Sequence, residues 1–234
     1  MKYMLNSKPK NPIIIEGFPG FGLVGTIATE YLIKHLDAKQ IGFIRLEEIP
    51  PVIAVHNGQA VEPLGIFYSK EKNIVILHAL TNVVGYEWQI GDMLAKISKE
   101  LKAKEIVSLE GVGEEELIKK AEPKAYYMTH SKNKKELKCG EKLTEGIIMG
   151  VTGALILRND IKVTSFFSET QSSLPDSRAA AKIICLLDEY LNLKVDYKPL
   201  IKKAEEFESK LKGILSKTQR AASSAEKKRQ TYFG

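Results

Sequence analysis

The residues 20-GFGLVG-25 place Gly20, Gly22 and Gly25 at the first, third and sixth positions of a short turn. That spacing suits a strand-to-helix loop that approaches a pyrophosphate closely, with the helix N-terminus facing the phosphates. A strand-like run, Ile13-Ile14-Ile15, precedes the turn and a helical pattern follows it. Glu47 and Glu48 stand after the next strand, near where a ribose-binding carboxylate belongs. The same glycines equally serve a packing turn, and the chain shows one strand-helix-strand unit before it turns to hairpins. Nucleotide binding and a structural turn therefore both remain open on the motif alone.

Other reactive side chains form no recognisable set. His35, His56, His78 and His130 show no metal-ligand spacing. Glu110 and His78 close two strands, where α/β enzymes place catalytic groups, and Glu87, Asp92 and Glu169 are further candidates. No nucleophile-base pairing is legible among them, and GxSxG, P-loop and HExxH patterns are absent. Sequence thus predicts no catalytic residue, no metal and no cofactor. Cys139 and Cys185 are far apart and outside any zinc spacing, so both are expected to be reduced thiols.

The elements that must position these groups follow from periodicity. Thr26–Leu36 and Tyr86–Leu101 carry apolar residues at helical spacing, and Asp176 is placed to cap a helix from Ser177 to about Leu191. Strands are expected at 41–46, 52–56, 66–68, 74–78, 106–109, 125–128 and 161–167, with Asn57-Gly58 as a hairpin turn and a short buried helix at 150–156. Strands alternating with helices imply a largely parallel sheet covered on both faces, with an antiparallel portion. The length of 234 residues and the 44% hydrophobic content fit one α/β core, residues 1–196, plus an appendage. No apolar run is long enough for a membrane span, and no signal-like h-region opens the chain, so a soluble cytoplasmic protein with no membrane partner is expected.

The net charge of +6 belongs to the appendage. Lys198–Gly234 holds ten Lys or Arg against four Asp or Glu, and the rest of the chain is balanced. Within 197–222, Leu200, Ala204, Phe207, Leu211 and Ile214 recur at steps of four and three, a heptad seam. Charged flanking positions favour self-association through this coiled-coil-like helix over packing on the chain's own core. Lys217, Arg220, Lys227, Lys228 and Arg229 offer phosphate contacts, but interleaved glutamates argue for a solvated helix face instead of a nucleic-acid arm. Residues 223–234 read as a flexible basic tail with an aromatic end.

The stretch EGFPGFGLVGTIATEYLIKHLDAKQIG, the HNG turn at 56–58, LHALTNVVGYEW at 77–88, LEGVG at 109–113, GVTGALI at 150–156 and LPDSRAAAKII at 174–184 together resemble the archaeal proteasome-assembly-chaperone family. Many members carry a proline where this chain has Ser177, a departure that leaves the cap role of Asp176 intact. The resemblance implies a three-layer α/β/α, phosphorylase/hydrolase-like core, homo-oligomeric assembly and no enzyme activity or cofactor. It also implies that the glycine turn serves helix packing, with Phe18 and Phe21 filling the space around it.

Tyr232-Phe233-Gly234 resembles the C-terminal hydrophobic-tyrosine-any-residue motif with which proteasome activators and some assembly chaperones dock between α-subunits of the 20S core. Phe233 stands where that motif has tyrosine, which removes a phenolic hydrogen bond of about 0.5–1.5 kcal/mol. Several tethered tails engaging together offset such a loss. The expected function is an ATP-independent assembly chaperone or activator-like protein; the alternative is a nucleotide- or nucleoside-binding enzyme at 20–25.

Overall fold

The computed structural model describes residues 1–49, 53–56, 59–113, 123–129, 136–170, 174–202 and 213. The Asn57-Gly58 turn, His130, the seam positions Ala204, Phe207, Leu211 and Ile214, and the terminal Tyr232, Phe233 and Gly234 lie outside them.

Four parallel strands make the centre of a nine-stranded sheet. They are β2 (Ile13–Gly17), β7 (Ile74–Ala79), β8 (Glu105–Gly113) and β11 (Val163–Thr170). Their residues are mostly buried because helices cover both faces, which is why β2 and β7 carry apolar runs without alternation, while β11 buries threonine, serine and glutamate beside Phe166 and Phe167. On one side β6 (Leu64–Ser69), β3 (Lys39–Arg45) and β1 (Lys2–Leu5) extend the sheet antiparallel; on the other come β9 (Ala125–Thr129) and β10 (Glu141–Lys142). The sheet order is β1-β3-β6-β7-β2-β8-β11-β9-β10. β4 (Ala54–His56) and β5 (Gln59–Val61) form a separate antiparallel pair.

Helices α1 (Val24–His35) and α4 (Ser177–Leu191) pack on one face, where Ile15, Ile27, Val107, Phe166 and Ile184 share a core. Helices α2 (Glu87–Leu101) and α3 (Gly150–Ile156) cover the other face over Ile14, Val75, Ile90, Ile106 and Leu155. These are the three α/β/α layers the sequence implies. α5 (Lys198–Lys202) joins the α1/α4 side, and its Leu200 is buried in that core, so the first seam position faces the chain's own interior while Ile201 is exposed.

Asp176 is the N-cap of α4. Its Oδ1 accepts from the amides of Arg178 (3.0 Å) and Ala179 (2.9 Å), and Oδ2 accepts from the Thr170 hydroxyl (2.9 Å). Its own N–H donates to the carbonyl of Gly22 (2.8 Å), which fastens the start of α4 to the glycine turn. Asp176→Ala should cost about 1–2 kcal/mol, the upper part of the range for a cap, as a lowered urea midpoint at unchanged slope.

The expectation of two free thiols is overturned: Cys139 and Cys185 are joined in a disulfide, with Cα atoms 6.0 Å apart. Their 46-residue separation hides the pairing, because Cys139, just before β10, meets Cys185 of α4 only in the folded chain.

Candidate functional site

Close packing begins at a second glycine across from the turn. A Cβ on Gly25, in the first turn of α1, would lie 3.0 Å from Gly17 Cα and 3.2 Å from the Phe18 carbonyl oxygen, and would collide with the carbonyl of Leu109. A Cβ on Gly17 would in turn strike the backbone of Gly25. The helix therefore sits on β2 and β8 at backbone contact. Gly22 adopts φ +61°, a left-handed conformation that glycine enters freely, and it abuts Thr170.

This turn also walls a cavity of about 720 Å³ at the C-terminal ends of the parallel strands. Phe18, Phe21, Val83, Val84, Ile147 and Met149 supply an apolar lining, with Glu87 and Glu110 among it. Val84, Ile147 and Met149 are 72%, 89% and 64% exposed, so the mouth presents an unusually apolar rim. A shallower pocket beside it adds Trp88 and Leu157.

At the cavity's base, strand period and register bring two carboxyl groups together. Glu16 pairs in register with Ser108, and Ser108 and Glu110 are two residues apart on β8, so all three face the α2/α3 side. Thr152 of α3 completes the set. Ser108 Oγ and Glu16 Oε1 are in hydrogen-bond contact, Ser108 and Thr152 hydroxyls lie 2.7 Å apart, and Thr152 donates to Glu110 Oε2. Burial pushes Glu16 up to about 8, with the charge of Glu110 adding to this and the Ser108 hydrogen bond opposing it. Burial likewise raises Glu110 to about 7, against the Thr152 hydrogen bond. Sequence reasoning singled out Glu110 but not Glu16, Ser108 or Thr152; a glutamate ending an all-apolar strand run was the available signal.

The other candidates disperse. His78 lies on the opposite face of the sheet from Glu110, buried against α1, with Nδ1 2.9 Å from Thr29 Oγ1 and Nε2 3.3 Å from Glu30. Burial holds its imidazole below the ordinary pKa, against the pull of Glu30. Glu169 accepts from Tyr126 Oη (2.6 Å) and the Lys124 amide (3.2 Å). Asp92 pairs with Arg158 on the surface, and His35 stacks on Tyr31. His56 lies in β4. Glu47 and Glu48 follow β3, which β6 and β7 separate from β2; they pair with Lys2 and the N-terminal amine, so neither is where a ribose carboxylate must be. Among the described residues no group of histidine, cysteine or carboxylate side chains could hold a metal ion. No described helix is long and apolar enough to cross a membrane.

Comparison with known proteins places this architecture. A profile of the PAC2 family matches residues 14–215. Crystalline Pyrococcus furiosus PbaA, described as an archaeal homologue of proteasome-assembly chaperone, superposes with a TM-score of 0.81 at 30% identity, covering 94% of this chain and 98% of that one. PbaB of the same organism, described as an archaeal proteasome activator, shares the fold with a TM-score of 0.75 at 22% identity, covering 91% and 98%. An uncharacterised protein of Methanocaldococcus jannaschii is 28% identical over 100% of this chain and 98% of its own length. The match to the family profile runs over most of the sequence, and the chain belongs to the PAC2 family.

Proposed function

We propose that this chain is an ATP-independent proteasome assembly chaperone or activator-like protein, homo-oligomeric, whose C-terminal tails dock on the α-ring of the 20S particle. The observation that carries the reading is its likeness to PbaA along nearly the whole of both chains. The terminal Tyr232-Phe233-Gly234 supports it, because an apolar aromatic pair followed by a free carboxylate fits a pocket offering a lysine and a greasy wall. The heptad steps through Ala204, Phe207, Leu211 and Ile214 supply a means of gathering several tails. The chain requires no cofactor in this role.

Deleting Tyr232–Gly234 from the full chain should abolish co-sedimentation with archaeal 20S particles while native mass spectrometry finds the same oligomeric mass. Undiminished co-sedimentation would remove the tail from the mechanism. A parallel loss of oligomer would instead make the terminus a packing element within the assembly.

A further inference from the structure

Hydrogen counting at the base of the cavity gives a result that geometry alone does not. The chain Glu16–Ser108–Thr152–Glu110 contains three consecutive oxygen-oxygen contacts, and two hydroxyls supply two hydrogens for them. With Ser108 donating to Glu16 and Thr152 donating to Glu110, the 2.7 Å contact between the hydroxyls has no hydrogen. A third proton satisfies all three contacts if Glu16 carries it. Glu16 then donates to Ser108, Ser108 to Thr152 and Thr152 to Glu110. Glu16 is the deeper group, 1% exposed, and the one whose neutral form burial favours more.

The direction of that chain fixes the character of its outer end. Glu110 becomes the terminal acceptor, a carboxylate once the pH is above its raised value of about 7. Its Oε1 has no hydrogen-bond partner among the described residues and lies where a Cβ on Gly20 would approach to 2.9 Å, at the wall of the cavity. The two charged residues among the described lining, Glu87 and Glu110, are both acidic, and the described lining includes no lysine, arginine or histidine. An anionic ligand is repelled here. A purely apolar ligand would strip water from Oε1 without replacing it. Phe18 and Phe21 offer ring faces suited to a cation or an aromatic body.

We infer that this cavity binds an organic cation, an ammonium group on an apolar or aromatic body, with Glu110 Oε1 accepting its N–H and Phe18, Phe21 and Val83 enclosing its stem. The volume suits a drug-sized molecule. The site is independent of the tail-docking reading, since none of its residues belongs to the C-terminal segment.

Calorimetric titration of the full chain with phenethylamine and with its neutral counterpart phenethyl alcohol tests the inference. The amine should bind about tenfold or more tightly than the alcohol, the effect of one charge-assisted hydrogen bond. Glu110→Gln should erase the difference. Val84→Lys, at an exposed rim position that folding does not depend on, should weaken the amine selectively by placing a like charge at the mouth. Nα-acetyl-lysine methylamide is the third probe. If it binds more tightly than phenethylamine the cation is a lysine side chain of a partner protein; if less, it is a free aryl-alkyl amine. Equal affinity for amine and alcohol, binding of neither, or amine preference unchanged in both variants would overturn the assignment.

Discussion

Replacing Glu16 by glutamine should make the protein more stable than wild type at pH 9 and much less advantaged at pH 5. The ordinary glutamate value of 4.5 rises to about 8 at this position because the side chain is wholly enclosed. Between those two values the folded protein keeps the proton and the unfolded chain has released it. Stability contributed by this group is therefore complete below pH 4.5 and drains away as pH climbs toward 8. At 1.36 kcal/mol per pH unit the loss approaches 5 kcal/mol as an order of magnitude, a large part of a domain's total. Glutamine has no proton to release, and its NH₂ can donate to Ser108 as the protonated acid does. Urea unfolding of both proteins at pH 5, 7 and 9 measures this, with the variant's advantage widening by several kcal/mol across the series. An advantage that stays flat with pH would show that Glu16 does not hold its proton in the fold. Glu110, raised to about 7, shares the same network, so the pair titrates together and wild type should lose stability in a broad sweep.

Gly25→Ala should be a strongly damaging single-methyl change. By helix propensity alone, alanine in α1 ought to gain up to about 1 kcal/mol. Against that stands a collision with backbone on both sides, the Leu109 carbonyl and Gly17, neither of which can swing away as a side chain would. Overpacking against fixed atoms dominates, and a net loss of about 3 kcal/mol or more is expected. Gly146→Ala is the control: its Cβ would meet only Leu143 side-chain atoms at 3.7 and 3.8 Å, an ordinary contact, so a change within about 0.5 kcal/mol should follow. Thermal unfolding of the two variants side by side separates the explanations. A glycine kept only for a phosphate would let alanine stabilise the helix; a glycine kept for packing forbids it.

How far these features could be read in advance depended on how local their causes are. The helix at 177–191 was legible because Asp176 caps it within three residues, and α2 was legible because Ile90, Leu94, Ile97 and Leu101 repeat along one face. The turn was legible as a turn, and its spacing alone could not separate packing from phosphate binding. The packing contact of Gly25 is made with Gly17, eight residues earlier in sequence and in reach only after β2 and α1 have folded together. The carboxyl pair was hidden for a similar reason. Glu16 and Glu110 meet through the register of β2 on β8, which matches Glu16 to Ser108 across 92 residues, and through a threonine delivered by α3. The disulfide and the edge strand β1, which pairs Lys2 with Arg45, are likewise products of long-range closure. Glu47 and Glu48 misled because chain order suggested adjacency to the turn, whereas β6 and β7 intervene in the sheet.

The margins of the sheet set a rule for how copies of this protein can meet. β10 offers two residues, Glu141 and Lys142, both exposed and oppositely charged, and β1 offers four, beginning with an exposed lysine. Borders so brief, each carrying exposed charge, give an incoming strand little to zip onto. Along these two described borders, contact between like molecules would be steered to side-chain surfaces, where shape discriminates between partners and fibril growth finds little template.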